Sequence, residues 1–249
     1  MLKKVVRRII LLILMIAAVT GGAVVVNGYE IYKDAVGKVP VSDKIAQIQE
    51  KEHYTKFDQL PQRYIDAVIA AEDRRFFKHH GFDILATGRA MWHNMEAGSL
   101  IEGGSTITQQ LAKNMYFSQE KKFTRKVAEV FVSNDIENLC DKETIFELYI
   151  NSIYFGSGYY TVYDAAHGYY GKDPADLNDY ECTMLAGVPN APSVYSPSQM
   201  SRSPSIRLCL CMTRRYGFPF HFSTRMEFSS NSIPLISTVF HPVKANMES

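Results

Sequence analysis

The most pronounced feature of the chain is an uncharged apolar run of 18 residues, Ile9 to Val26 (IILLILMIAAVTGGAVVV), directly after Lys3, Lys4, Arg7 and Arg8. At 1.5 Å rise per residue such a run spans about 27 Å as a helix, close to the thickness of a bilayer's hydrocarbon core. Basic residues at one end of a span favour the cytoplasmic side, so the pattern predicts a cytoplasmic segment 1–8 and a membrane span 9–26. Everything from Asn27 onward then lies outside the cytoplasm. A cleaved signal peptide is the alternative. Its apolar region is normally shorter and ends in an A-x-A site, which this run lacks, although Gly21-Gly22-Ala23 has small residues. The pattern favours an uncleaved signal anchor.

Residues 27–57 read as a polar, partly helical connector. From Leu60 the apolar period becomes helical, with Asp58 as a cap and Pro61 in a first-turn position. On a helical wheel Tyr64, Ile65, Val68, Ile69 and Phe76 share one arc, and Glu72 falls in its middle. Further helical stretches are predicted near 83–97, 105–117, 122–139, 142–152 and 175–188. A Gly- and Tyr-rich segment spans 156–171. Strand-like alternation is scarce and no internal repeat is evident. The expected fold class is mainly α, with one domain over 58–197 behind the N-terminal helix. After Pro197 the period disappears. Residues 198–249 hold ten serines, against nine in the first 197, and no Asp. This atypical tail is expected to be an out-of-frame or truncated end, leaving the domain C-terminally incomplete.

Composition narrows the function. Lys+Arg number 27 and Asp+Glu 26, for a net charge of +1. That balance argues against a general nucleic-acid binder, which needs a basic excess to displace counterions. The charge is segregated: each end carries +4, which leaves −7 on residues 9–197. The four cysteines, Cys140, Cys182, Cys209 and Cys211, fit no zinc or redox spacing.

Three constellations carry chemistry. The first runs from Ala71 to Asp83 (AEDRRFFKHHGFD). A carboxylate centred on an apolar face is penalised when charged, which suits Glu72 to accept a proton. The competing reading is a structural Glu72 neutralised by Arg74 or Arg75. His79 and His80 lack metal-ligand spacing and read as scaffold. The second is Gly103-Gly104-Ser105-Thr106-Ile107-Thr108-Gln109-Gln110-Leu111-Ala112-Lys113-Asn114. Here Thr106 and Gln109 have capping-box spacing, so this is either an anion-facing helix start or an ordinary one. The third, Lys121-Lys122-Phe123-Thr124-Arg125-Lys126-Val127-Ala128-Glu129, sets four cations beside a second carboxylate. It suits either a diphosphate or a solvated helix face.

Taken together, Glu72-Asp73-x-x-Phe76-x-x-His79-x-Gly81-x-Asp83, the Gly-Gly-Ser-Thr-Ile-Thr-Gln-Gln block and Arg125-Lys126-x-x-Glu129 resemble successive motifs of the peptidoglycan glycosyltransferases. So does Lys142-Glu143-x-Ile145-x-x-x-Tyr149-Ile150-Asn151-x-x-Tyr154-Phe155-Gly156. This is glycosyltransferase family fifty-one, found in monofunctional transglycosylases and class A penicillin-binding proteins. The resemblance implies a lysozyme-like helical domain with a hydrophobic jaw on the membrane. Lipid II, the growing glycan chain and membrane lipid are the implied partners, with cell-wall synthesis or division proteins beside them. It implies Glu72 as general base and Glu129 as an assisting group at the pyrophosphate. Ser105, Thr106, Gln109, Lys113, Arg125 and Lys126 match donor-binding positions, and Asp73, Gln110, Asn114 and Lys121 join the substrate-binding set. Lys121 stands where relatives often place an arginine. No cofactor is implied as obligatory, though Mg2+ or Mn2+ is compatible with the pyrophosphate. Tyr159, Tyr160, Tyr169 and Tyr170 suit either an interface or the core.

Other classes remain open on sequence. Ser118-x-x-Lys121 and Ser229-x-Asn231 mimic two transpeptidase patterns, but there is no Lys-Thr-Gly. A lysozyme-like muramidase would use two carboxylates to cut the same polymer. A catalytically impaired, membrane-tethered glycan-binding fragment is the non-enzymatic reading.

Overall fold

A computed structural model describes residues 2–99, 103–117, 122–190 and 192. Lys121, the two transpeptidase-like serines and the segment 198–249 lie outside these residues. Among the described residues no strand forms, only an isolated bridge between His80 and Phe82. The mainly α expectation holds.

Helix α1 spans Leu2–Lys38. Lys3–Lys38 is long and apolar enough to cross a membrane, and none of its most apolar window is buried. The helix does not stop where the apolar run ends at Val26. It continues because Tyr32 and Val36 find cover on the domain core. Helix α2 (Val41–Gln49) adds Val41, Ile45 and Ile48 to that core, so much of the expected connector is packed structure.

The remaining helices are α3 (Gln62–Glu72), α4 (Ile84–Ala97), α5 (Ile107–Tyr116), α6 (Phe123–Leu139), α7 (Lys142–Ile150), α8 (Val162–Tyr170) and α9 (Asp179–Gly187). Their starts are chemically marked. Asp83, Thr106, Asp141, Thr161 and Asn178 each accept a backbone N–H from the first turn of the helix they precede. The core gathers Tyr64, Phe76, Ile107, Leu111, Ile136, Phe146, Tyr149 and Leu185, all fully buried, from α3, α5, α6, α7, α9 and the turn after α3.

The α3 wheel needs one amendment. Tyr64, Ile65 and Val68 are buried as expected, yet the helix ends at Glu72, and Phe76 reaches the core from a separate turn, Phe76–Lys78. Asp73 breaks the helix with an extended backbone (φ −158°, ψ 82°). Tyr159, Tyr169 and Tyr170 pack against the core, whereas Tyr160 is exposed.

The segment 51–57 is fastened to α7. Asn151, fully buried, exchanges hydrogen bonds with the backbone of Thr55, while the Lys51 ammonium donates to the Asn151 carbonyl at 2.7 Å. Asn151→Ala would leave the Thr55 amide and carbonyl without these partners. A loss of about 1–3 kcal/mol is expected from the unfolding midpoint of that variant in denaturant.

Candidate active site

The site is assembled where the end of α3 faces the starts of α5 and α6. Because α3 stops at Glu72, this carboxylate is half-buried rather than sealed in the apolar face that the wheel suggests. Two amides hold it. Gln110 Nε2 donates to one oxygen and Asn190 Nδ2 to the other, both at 2.7 Å. Arg75, offered by the structural reading as a neutralising partner, turns instead to the buried Asp83, with its Nε 3.1 Å from Oδ2.

Asp73 is buried and acts one step behind. Its Oδ2 accepts from the backbone N–H of Ile107 at 3.1 Å and lies 2.8 Å from His79 Nε2. A carboxylate at the first amide of α5 satisfies an otherwise orphaned donor and complements the helix dipole. His79 is thus scaffold, as expected. Thr106 and Gln109 are also buried. They close the anticipated capping box, and Thr106 Oγ1 donates to the Gly81 carbonyl at 2.6 Å. These two side chains hold the helix start in place. Gly81 has φ +76° and lies so near Ser133 that a Cβ would meet the backbone oxygen at 3.2 Å, so both conformation and space call for glycine.

On the other wall, Glu129 is fully buried on α6. Lys126 Nζ lies 2.7 Å from Glu129 Oε2 and donates to Ser105 Oγ at 2.7 Å, while Arg125 Nε is 3.4 Å from Glu129 Oε1. Lys113, half-buried on α5, completes the group. Burial pulls its ammonium below the ordinary lysine range. Glu129 pulls it upward, Arg125 and Lys126 push it further down, and Glu72 pulls it upward again. Lys113 therefore senses both glutamates and both neighbouring cations. Asn114 is exposed on the same helix. Three cations with one buried carboxylate leave a positive excess suited to an anionic group.

Among the described residues no three His, Cys, Asp or Glu side chains converge, and the two oxygens of Glu129 face Lys126 and Arg125.

Two contributors were not assigned from sequence. Asn190 is 118 positions from Glu72, too distant for any local pattern. Glu137, buried on α6, accepts from Thr108 Oγ1 at 2.6 Å and Lys142 Nζ at 2.7 Å and lies 3.7 Å from His80 Nδ1. The ammonium of Lys142 also sits 4.7 Å from the centre of the Phe76 ring. An acidic residue placed among the apolar positions of α6 was the available signal.

The chain is similar to known proteins over much of this region. The chain is 42% identical over 156 residues to penicillin-binding protein 1F of Bacillus subtilis, covering 62% of this chain and 22% of the relative. It is 46% identical over 154 residues to penicillin-binding protein 1A of Vibrio cholerae (61% and 19%). It is also 46% identical over 149 residues to penicillin-binding protein 1A of Neisseria gonorrhoeae (60% and 19%). The chain thus spans about a fifth of the length of these curated relatives. Residues 41–214 match the family model described as transglycosylase. That match takes in α2 at one end and passes Pro197 at the other, and it covers well over half the chain. The chain belongs to the transglycosylase family.

Proposed function

We propose that the protein is a membrane-anchored peptidoglycan glycosyltransferase that polymerises lipid II. The observation that carries this reading is the pairing of Glu72, an amide-held carboxylate, with Lys113, Arg125 and Lys126 on the facing wall. In the proposed step the 4-hydroxyl of an acceptor lipid II gives its proton to Glu72 while its oxygen bonds to the anomeric carbon of the donor chain. The bond from that carbon to the diphosphate oxygen breaks, and its electron pair leaves with the polyprenyl diphosphate. Attack opposite the leaving group converts an α-linkage into a β-1,4 bond. Lys113, Arg125 and Lys126 stabilise the departing charge, an electrostatic contribution of about 3–4 kcal/mol per well-placed donor. Glu129 fixes the two α6 cations.

Incubating the full chain with labelled lipid II in liposomes tests the reading. Glycan polymer and free polyprenyl diphosphate are expected. Release of fragments from preformed glycan, without polymer, would instead indicate a muramidase and overturn it.

The lowered Lys113 ammonium has a pH consequence. A cation whose proton is held less tightly loses its charge at lower pH than an ordinary lysine, so the alkaline limb of kcat/KM should begin early. Lys113→Arg keeps the charge throughout. Its alkaline limb is expected to move to higher pH, since kcat/KM reports groups of the free enzyme. Unchanged limbs in the two proteins would remove Lys113 from the anion site.

Helix α4 supports a membrane location. Ile84, Leu85, Met91, Trp92 and Met95 are each more than 60% exposed and recur at helical spacing, while Ala90 is the buried residue of that helix. Such an amphipathic face suits the headgroup–acyl boundary. Trp92 is the single tryptophan of the chain, so its fluorescence reports directly. Brominated lipids are expected to quench it in liposomes, and emission unaffected by bromine depth would place α4 away from the bilayer.

A further inference from the structure

The seam between α1 and α6 carries an inference beyond the reaction. It rests on the reading of α1 as a membrane anchor and of the α6 cations as a diphosphate seat. At Gly28 the helices are packed too tightly for a side chain. A Cβ there would lie 2.6 Å from Val127 Cβ and 2.9 Å from the Thr124 carbonyl, neither of them a flexible side-chain tip. Just beyond it, Tyr29 and Tyr32 meet Phe131 with ring centroids 5.3 and 5.5 Å apart, and Tyr32 donates to Asp135 Oδ2 at 2.7 Å. As α1 advances from 28 to 32, its partners on α6 advance from 124 to 135. The helices are therefore parallel, and the N-terminal end of α6 points back toward the apolar run.

That register fixes a height. Gly28 stands two residues beyond Val26, the last residue of the apolar run, or about 3 Å along the helix axis. Arg125 and Lys126, beside Thr124, are thus carried within about one helical turn of the hydrocarbon edge. The headgroup layer is about 5–8 Å thick on each side of a bilayer, and it is where the phosphates of a membrane-anchored diphosphate reside. We infer that the α1–α6 seam is a ruler: it holds Arg125 and Lys126 at headgroup level, so the enzyme takes a diphosphate presented at a bilayer surface. Gly28, Tyr32 and Asp135 are its positioning residues. A seam that merely stabilised the domain would not depend on how far it stands from Val26.

The test lengthens the rod below the seam. Four or seven polar helix-forming residues inserted after Asn27 raise the seam by about 6 or 10 Å without touching its contacts. The full chain carries Trp92→Phe and Phe123→Trp, which moves the single tryptophan to the exposed start of α6. In liposomes of lipids brominated at defined depths, quenching of this tryptophan is expected in the parent and should fall stepwise with each insertion. On long-chain lipid II in liposomes the seven-residue insertion should lower turnover by about tenfold or more, because ångström-scale misplacement of a reacting group is costly. On a water-soluble short-chain analogue its rate should stay within twofold of the parent. Gly28→Leu, which pries the seam from the α6 side, should reproduce the bilayer-specific loss. Quenching that ignores the insertions overturns the ruler, as does equal turnover of parent and insertions on the bilayer substrate. A parent inert on both substrates refutes the glycosyltransferase reading instead, while the quenching still decides the height of α6.

Discussion

Replacing Glu72 by Gln is expected to slow glycan-strand formation by about a thousandfold, within the range for loss of a general base. The side chain is nearly isosteric, so the cleft keeps its shape. An amide presents one acceptor oxygen where the carboxylate presents two, and Gln110 and Asn190 both donate to it. One of these hydrogen bonds must therefore be lost or reversed, at a cost of about 1 kcal/mol in stability. Donor binding should change little, because Lys113, Arg125 and Lys126 are untouched. The expected kinetic signature is a collapse of kcat with nearly constant KM, measured under single-turnover conditions on lipid II. Polymerisation by Glu72→Gln within tenfold of the parent would mean that the hydroxyl proton goes elsewhere.

The parts of this arrangement that were readable in the sequence are those built from near neighbours. Arg125, Lys126 and Glu129 are three and four positions apart on one helix, and the structure joins them as ion pairs. The Thr106–Gln109 capping box likewise follows from spacing, and both hydrogen bonds are present. A wheel put Glu72 on the buried side of α3 but could not show where α3 ends. That is decided by Asp73, whose carboxylate is drawn away to the Ile107 amide, 34 positions on, and to His79. The same long-range logic hid Asn190. It also hid the length of α1, since composition marks the hydrocarbon edge at Val26 whereas packing against Phe131 carries the helix on to Lys38. Hydrophobic pattern therefore located the elements, and tertiary hydrogen bonds decided their ends and the aim of the groups at the cleft.

The largest effect on stability is expected at Glu137. Its side chain is 3% exposed and answers to Thr108 from α5 and Lys142 from α7, with His80 3.7 Å away. Removing one member of such a buried pair strands the other charge, which typically costs about 3–5 kcal/mol. Glu137→Ala leaves the Lys142 ammonium with the Phe76 ring, whose attraction of about 1–2 kcal/mol does not replace the lost carboxylate. Lys142→Met leaves the carboxylate with the Thr108 hydroxyl as its close partner. Each single variant should unfold about 10 °C below the parent in detergent, at roughly 2–4 °C per kcal/mol for a domain of this size. The double variant Glu137→Leu/Lys142→Met buries no unpaired charge and is expected to recover much of that loss, a non-additivity that a double-mutant cycle closed by the singles Glu137→Leu and Lys142→Met measures directly. Because Thr108 lies in the first turn of α5, directly after Thr106 and Ile107, the single variants should also loosen the helix that presents Gln110 and Lys113 to the cleft. Their residual polymerisation should fall with KM rising, as for a misplaced binding wall, while a substitution on the exposed side of α6, such as Asn134→Ala, changes neither quantity. If Glu137→Ala unfolds within a degree or two of the parent, the buried pair is not what joins α5, α6 and α7 behind the site.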